Sequence, residues 1–383
     1  MLLIALGSID QSGSIEVTIM MLNELRNGST LHIDRFKPPS DPECPGDFAD
    51  PAKLRFTPSI GLPLSMQIST RVYALFIVLF AGTQLQAQNL AYKADTTSVS
   101  VYPGRLYGTL FHPNNLEEAP VVLIIAGSGP TDRDGNSALL PGKNNSLLQL
   151  AEALAQQGIA SLRYDKRGVA QSAKAIQREE SLVFEQNSAD ARVWLQWLYE
   201  KGYRRIYVAG HSEGSLVALQ VAQQFPLSGL ISLAGAGRPI QEVLREQLSN
   251  LPANLKNTAN EYLDSLSAGK RIAQPALPLL SLFRPSVQGY MISWMQLDPA
   301  KLIASLTIPS LILQGDKDLQ VQVIDAERLA IASPKANLHV IPTMNHIFKA
   351  VVSDNPQENL STYSDPSKPV MPALIQYLVA FIR

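Results

Sequence analysis

From Thr96 to the C-terminus, short aliphatic and β-branched runs alternate with amphipathic helical stretches, and few folds accommodate that rhythm. Val121 to Ile125 is uninterruptedly apolar, which suits a strand covered on both faces. Leu147, Leu150, Ala151 and Leu154 then recur at i, i+3, i+4 and i+7, the spacing of one helix face. Gly158 ends that helix, and Ile159 to Tyr164 is the next strand. Val193, Trp194, Trp197 and Leu198 mark another helix, followed by a strand at Arg205 to Ala209, a helix at Ser215 to Gln224 and a strand at Gly229 to Leu233. Two further strands, Ser310 to Leu313 and Leu338 to Ile341, flank a helix at Glu327 to Ala332, and Ala373 to Ile382 closes the chain as a helix. Strands that alternate with helices pair in parallel through right-handed crossovers. The fold class expected is α/β, a doubly wound and mostly parallel sheet. A hairpin at its N-terminal edge is expected where Thr96 to His112 alternates around Pro103-Gly104.

One region breaks the rhythm. Residues 238–305 offer helices at Ile240 to Leu248, Leu255 to Leu266 and Val287 to Leu297, but no strand. An insertion between two sheet strands, above their carboxyl ends, would form a helical lid. Its Phe283, Tyr290, Met291, Trp294 and Met295 suit either an apolar substrate group or packing within the lid.

The 383 residues are 46% hydrophobic and carry a formal net charge of −1, so a sizeable core is affordable and neither nucleic acid nor an acidic membrane surface is suggested as a partner. A single cysteine, Cys44, excludes an intrachain disulfide and a cysteine-based metal cluster. From Met66 to Gln88 a start carrying Arg71 precedes an apolar run, Val72 to Ala81, and then a polar stretch ending at Ala87. That order is the pattern of a secretory signal peptide, and the run is short for a membrane span. The expected organisation is therefore an extension over residues 1–65, spurious or disordered, a signal at 66–88, and one domain from 89 to 383, exported to the periplasm or secreted.

Within that domain, Gly210-His211-Ser212-Glu213-Gly214 is a G-x-S-x-G stretch directly between a strand and a helix. In that context the serine sits on a strained turn above the sheet, where backbone N–H groups and a helix N-terminus favour developing negative charge. A serine hydroxyl is a weak nucleophile until an imidazole takes its proton, and the imidazole needs a carboxylate to fix its tautomer. Of the five histidines, His346 follows the last strand in a loop, Pro342 to His346, where the base belongs in the chain order Ser, Asp, His. His112 and His339 read as structural, and His211, adjacent to Ser212, reads as packing or pocket lining. In Gly315-Asp316-Lys317-Asp318, Asp318 is the preferred acid, and Asp316 the turn-capping or solvated alternative.

A tetrahedral intermediate also needs two backbone donors on its oxygen. Glu213 supplies one and the loop Ala126-Gly127-Ser128-Gly129-Pro130 the other, with Ser128 the best candidate. That loop lacks the lysine of a P-loop. Thr131 to Asn136 resembles a calcium loop only superficially, since Lys143 stands where the last ligand would be. No metal site is expected. The acidic and basic residues there are read as bracing the loop through Asp165, Lys166 or Arg167.

With these residues in hand, the chain resembles the α/β-hydrolase superfamily from Thr96 onward, and more narrowly bacterial EstD-type esterases and serine aminopeptidase-like hydrolases. The stretches that carry this are GSGPTDRDGN (127–136), YDKRGVAQS (164–172), GHSEGS (210–215), GDKDLQV (315–321) and MNH (344–346). The resemblance implies an α/β-hydrolase fold, a Ser-Asp-His triad, no cofactor, and carboxylesterase activity toward a small acyl substrate, usually of short chain. A departure is Ala170, where glycine is common. A peptidase or acyltransferase could use the same triad, and a non-catalytic binding protein could use the fold. No oligomeric state is implied. N-terminal sequencing of the natively expressed protein is expected to find a chain starting near residue 89; a start near Met1 would refute the export reading.

Overall fold

The computed structural model describes residues 4–9, 15–20, 92–113 and 119–383. The expected signal segment and Cys44 lie outside them. Strands β1 (Ile4–Ile9) and β2 (Ile15–Met20) pair antiparallel as a two-stranded sheet, elements that the sequence reading did not anticipate.

The main sheet has eight strands: β3 (Tyr92–Val101), β4 (Gly104–Pro113), β5 (Val121–Ile125), β6 (Ala160–Tyr164), β7 (Ile206–His211), β8 (Gly229–Leu233), β9 (Ser310–Gly315) and β10 (Ala336–Ile341). Their order is β10-β9-β8-β7-β5-β6-β4-β3. Only β4 runs antiparallel to its neighbours, β3 and β6, and every other pair is parallel. This is the expected doubly wound sheet with its N-terminal hairpin.

Helices cover both faces, and the two-residue period of β5 shows how. Val121, Leu123 and Ile125 join a core with Trp194, Leu198, Leu216 and Leu219, from helices α2 (Glu185–Glu200) and α3 (Glu213–Ala222). Val122 and Ile124 face the other way, onto Leu150 and Leu154 of α1 (Ser146–Gln156) and Leu374 and Leu378 of the C-terminal helix, Pro372–Ile382. Every residue of β5 to β9 is buried, as a strand covered on both faces requires.

Between β8 and β9 the chain inserts α4 (Ile240–Gln247), α5 (Ala253–Ser267), α6 (Leu280–Phe283), α7 (Gln288–Met295) and α8 (Pro299–Ala304). The first four share a separate apolar core that includes Leu244, Leu263, Phe283 and Met295, whereas Ile303 of α8 joins the core of the sheet. After β9 come α9 (Val323–Ala332), α10 (Pro356–Ser361) and α11 (Pro372–Ile382).

The departure at Ala170 has a backbone consequence. Its φ is 43°, in the left-handed region, on an exposed turn. An L-residue there costs about 1–2 kcal/mol, against which glycine loses about 0.5–1 kcal/mol more backbone entropy on folding. Ala170→Gly is therefore expected to raise the melting temperature by about 2 °C. Calorimetry showing a lower value would mean that the turn is not strained.

Candidate active site

Neighbouring strands β5 and β7 carry the site. From β5 the chain moves to β6 on one side and then to β7 on the other, so a crevice opens beyond their carboxyl ends. Gly127-Ser128 follows β5, and Ser212 follows β7.

Ser212 adopts φ 54° and ψ −119°, a conformation that costs a side-chain-bearing residue about 1–3 kcal/mol. Its surroundings enforce this. A Cβ at Gly210 would meet the Gly214 carbonyl oxygen at 2.0 Å, and one at Gly214 would meet the Ile125 carbonyl oxygen at 2.4 Å. The turn is closed by the Ser212 N–H, which donates to the Leu233 carbonyl at 2.9 Å. Helix α3 starts immediately afterward, its N-terminal end at the crevice.

His346 Nδ1 lies 2.7 Å from Asp318 Oδ2, and both side chains are almost wholly buried. Asp318 Oδ1 accepts from the N–H groups of Gln320 (2.7 Å) and Val321 (3.0 Å), while Gln314 Nε2 donates to Oδ2 at 3.0 Å. Burial pushes the Asp318 carboxyl up, but the interaction with His346 and the two backbone N–H bonds outweigh it and leave the group below the ordinary carboxylate range. Asp316 instead accepts from the Thr343 N–H at 2.6 Å, a role in the loop rather than on the imidazole.

His211 ties this pair to the Ser212 turn. Its Nε2 donates to the His346 carbonyl at 2.9 Å, and the two rings lie 4.8 Å apart. His211 is buried behind the turn and does not line the cleft. Among the described residues, no hydrogen bond joins Ser212 Oγ to the His346 ring; such contacts often tighten only around substrate. His112 bonds Asp95 at 2.8 Å and His339 stacks on Tyr377, both away from this rim.

Ser128, Ser212 and Glu213 together line a cleft of about 700 Å³, part of it open solvent. Neither the Ser128 N–H nor the Glu213 N–H has a hydrogen-bond partner among the described residues. The Glu213 side chain turns inward, where Lys166 Nζ lies 3.2 Å from Oε1 and also donates to the Gly127 carbonyl at 2.5 Å. The loop behind is braced by Arg133 on Asp165 (2.6 Å) and Arg163 on Asp134 (3.0 Å); Arg167 goes elsewhere, to Asp190.

The five lid residues divide. Phe283, Met291 and Met295 are buried in the lid's own core, Met291 also reaching the cleft beside Trp294, and Tyr290 packs on Phe184. Burial, reinforced by the neighbouring Glu213 carboxylate, pushes the Tyr290 phenol far up. Gln314 and the direct Lys166 contact escape the sequence reading. Gln314 sits at the end of an otherwise apolar strand, and that polar residue was the available signal; Lys166 lies two residues past its strand and offered none.

Burial, with His346 adding to it, pushes His211 down to about 3 from an ordinary 6.5. As pH falls the unfolded chain therefore takes up this proton first, so the stability His211 contributes is complete above about 6.5 and is lost progressively toward 3. Urea midpoints are expected to fall across that window. His211→Gln, which keeps a donor for the His346 carbonyl, should flatten the slope; an unchanged slope would clear His211 as its source.

The model for the family described as serine aminopeptidase, S33, matches residues 143–348, which is more than half of the 383-residue chain. Esterase EstD of Thermotoga maritima is 27% identical over 290 residues, spanning 74% of this chain and 68% of its own. Among solved structures, Est1E from Butyrivibrio proteoclasticus superposes with a TM-score of 0.46 at 18% identity, over 75% of this chain and 98% of that one. A thermophilic esterase from Thermogutta terrifontis gives 0.43 at 18% identity, over 76% and 100%. The family match, running from the start of α1 past the last strand, makes the chain a member of the serine aminopeptidase (S33) family of hydrolases, built on the α/β-hydrolase fold.

Proposed function

We propose that the protein hydrolyses carboxylic esters through an acyl-enzyme on Ser212. The observation that carries this reading is the buried His346–Asp318 contact of 2.7 Å beside the strained Ser212 turn. Asp318 holds a proton on Nδ1, leaving Nε2 free to accept one. Ser212 Oγ attacks the ester carbonyl as its proton passes to His346 Nε2, and the carbonyl oxygen takes the charge. The N–H groups of Ser128 and Glu213 receive that oxygen. Collapse expels the alcohol, which leaves with the proton from His346, and water repeats the sequence to free the acid.

The cleft favours an ester over an aminoacyl substrate. An aminopeptidase must hold a substrate ammonium, yet the one acidic side chain among the cleft residues is Glu213, already engaged by Lys166. The remaining charge, Arg238, is paired with Asp325 and Glu246 at 2.6 Å each. Leu216, Val243, Leu282, Met291 and Trp294 supply an apolar wall suited to a short acyl chain. No helix among the described residues is long and apolar enough to cross a membrane, and the segment at 66–88 supports export as the route to the site of action.

A panel of nitrophenyl esters and aminoacyl anilides tests the reading. Esters of short acids are expected to turn over, anilides little, and Ser212→Ala is expected to lose at least about 1000-fold in kcat without unfolding. Anilide turnover exceeding that of esters would turn the assignment toward a peptidase. Undiminished activity in the alanine variant would remove Ser212 from the mechanism.

A further inference from the structure

We infer that Lys166 is a positioning residue for the oxyanion site, aiming and polarising the Ser128 N–H through the peptide that joins Gly127 to Ser128. The inference rests on the ester-hydrolysis reading above. Lys166 Nζ donates to the Gly127 carbonyl at 2.5 Å, and that carbonyl belongs to the same planar unit as the Ser128 N–H. In a trans peptide the two bonds point in opposite directions. An ammonium that holds the carbonyl from inside the protein therefore turns the N–H away from itself, and Ser128 faces the cleft. The peptide lies where this matters, since a Cβ at Gly127 would stand 3.3 Å from the Ser212 Cβ.

The contact also strengthens the donor. A cation on the carbonyl oxygen draws electron density across the amide and makes its N–H more acidic, an effect that a water-poor environment preserves. Lys166 and Glu213 are both buried, at 7% and 5% exposure, so the contact is poorly screened. Glu213, 3.2 Å from the same ammonium, supplies the counter-charge that makes its burial tolerable. One side chain is thus bonded to the peptide bearing the first donor and to the residue bearing the second. The lysine itself is fixed by its neighbours: the Asp165 N–H donates to the Tyr107 carbonyl at 2.9 Å and the Val169 N–H to the Lys166 carbonyl at 3.1 Å.

The test compares Lys166→Met and Lys166→Met/Glu213→Gln with the wild type. The double variant removes both charges and guards against misfolding from an unpaired carboxylate, while every backbone N–H remains. Readouts are kcat and KM on a short-chain nitrophenyl ester, the inhibition constant of a trifluoromethyl ketone, and thermal melting. The expectation for both variants is a fall in kcat of about 10- to 100-fold, less than the loss of a whole donor. KM should move by less than about threefold, and the ketone should weaken by the same factor as kcat/KM. A folded single variant with wild-type kcat and ketone affinity would overturn the inference. So would a double variant restored to wild-type kinetics, since the defect would then lie in the uncompensated glutamate. Ser212→Ala in the same assay keeps the two ideas apart. If it is inactive while the lysine variants are normal, only the role of Lys166 falls; if it stays active, the Ser212 reading falls and takes this one with it.

Discussion

Close contact between the first turn of α3 and the end of β5 is the constraint on which the site depends. Gly214 packs against the carbonyls of Ile125 and Ala126, and Gly210 packs against the backbone of Gly214 and Ser215, at separations that any Cβ would violate. The helix is therefore pressed onto β5, and the chain between β7 and the helix must turn within one residue. Ser212 is that residue, and its unfavourable backbone angles are a cost that the buried, hydrogen-bonded sheet on either side is able to impose. The same contact brings the Gly127-Ser128 loop alongside Ser212, so the serine turn and the loop are set by one packing decision rather than two.

Buried charge does the remaining work of position. Lys166 with Glu213, Arg133 with Asp165, Arg167 with Asp190 and Arg238 with Asp325 each pair a cation with a carboxylate that is nearly or wholly inaccessible. Such pairs add little net stability, because desolvation offsets most of the Coulomb gain. Their value lies in geometry. Each ties a loop beyond the sheet to a second segment, and a misplaced partner would strand an ion in the interior. Asp325 illustrates the point: it also accepts from the N–H groups of Gly237 and Arg238, which fixes the entry to the inserted helices.

The alternation of apolar runs with helical faces made the sheet legible, because strands covered on both sides have no other composition to choose from. Val121–Ile125 and Gly229–Leu233 have the bounds that their residues suggest. Short helices were harder. Pro299–Ala304 and Pro356–Ser361 span too few residues for a 3.6-residue period to register. Their starts were nonetheless written in the chain, since Asp298 and Asn355 each precede a proline at the first helical position and accept from backbone N–H groups inside it. At the site, the approach of His346 to Asp318 follows from two loops leaving adjacent strands, which order along the chain can suggest. The Lys166 contact could not be anticipated in the same way. It depends on a long flexible side chain folding back under a loop 39 residues earlier in the chain, and no local pattern encodes that.

The inserted helices show how such a scaffold can vary the wall of its cleft. Gln288, wholly buried at the start of α7, donates to the carbonyls of Ile272 and Phe283 and accepts from the Ile272 N–H. These bonds pin the helix to the rest of the lid, and Phe283 and Met295 complete its apolar core. With that side fixed, Met291 and Trp294, three positions apart, are left to face the cleft. The lid is thus a braced wall with a short interchangeable surface. Substitutions on that surface reshape the cleft, whereas Ser212, His346 and Asp318 lie in loops that follow sheet strands, one of which the lid touches where Gln247 of α4 donates to the Gln320 carbonyl at 2.9 Å.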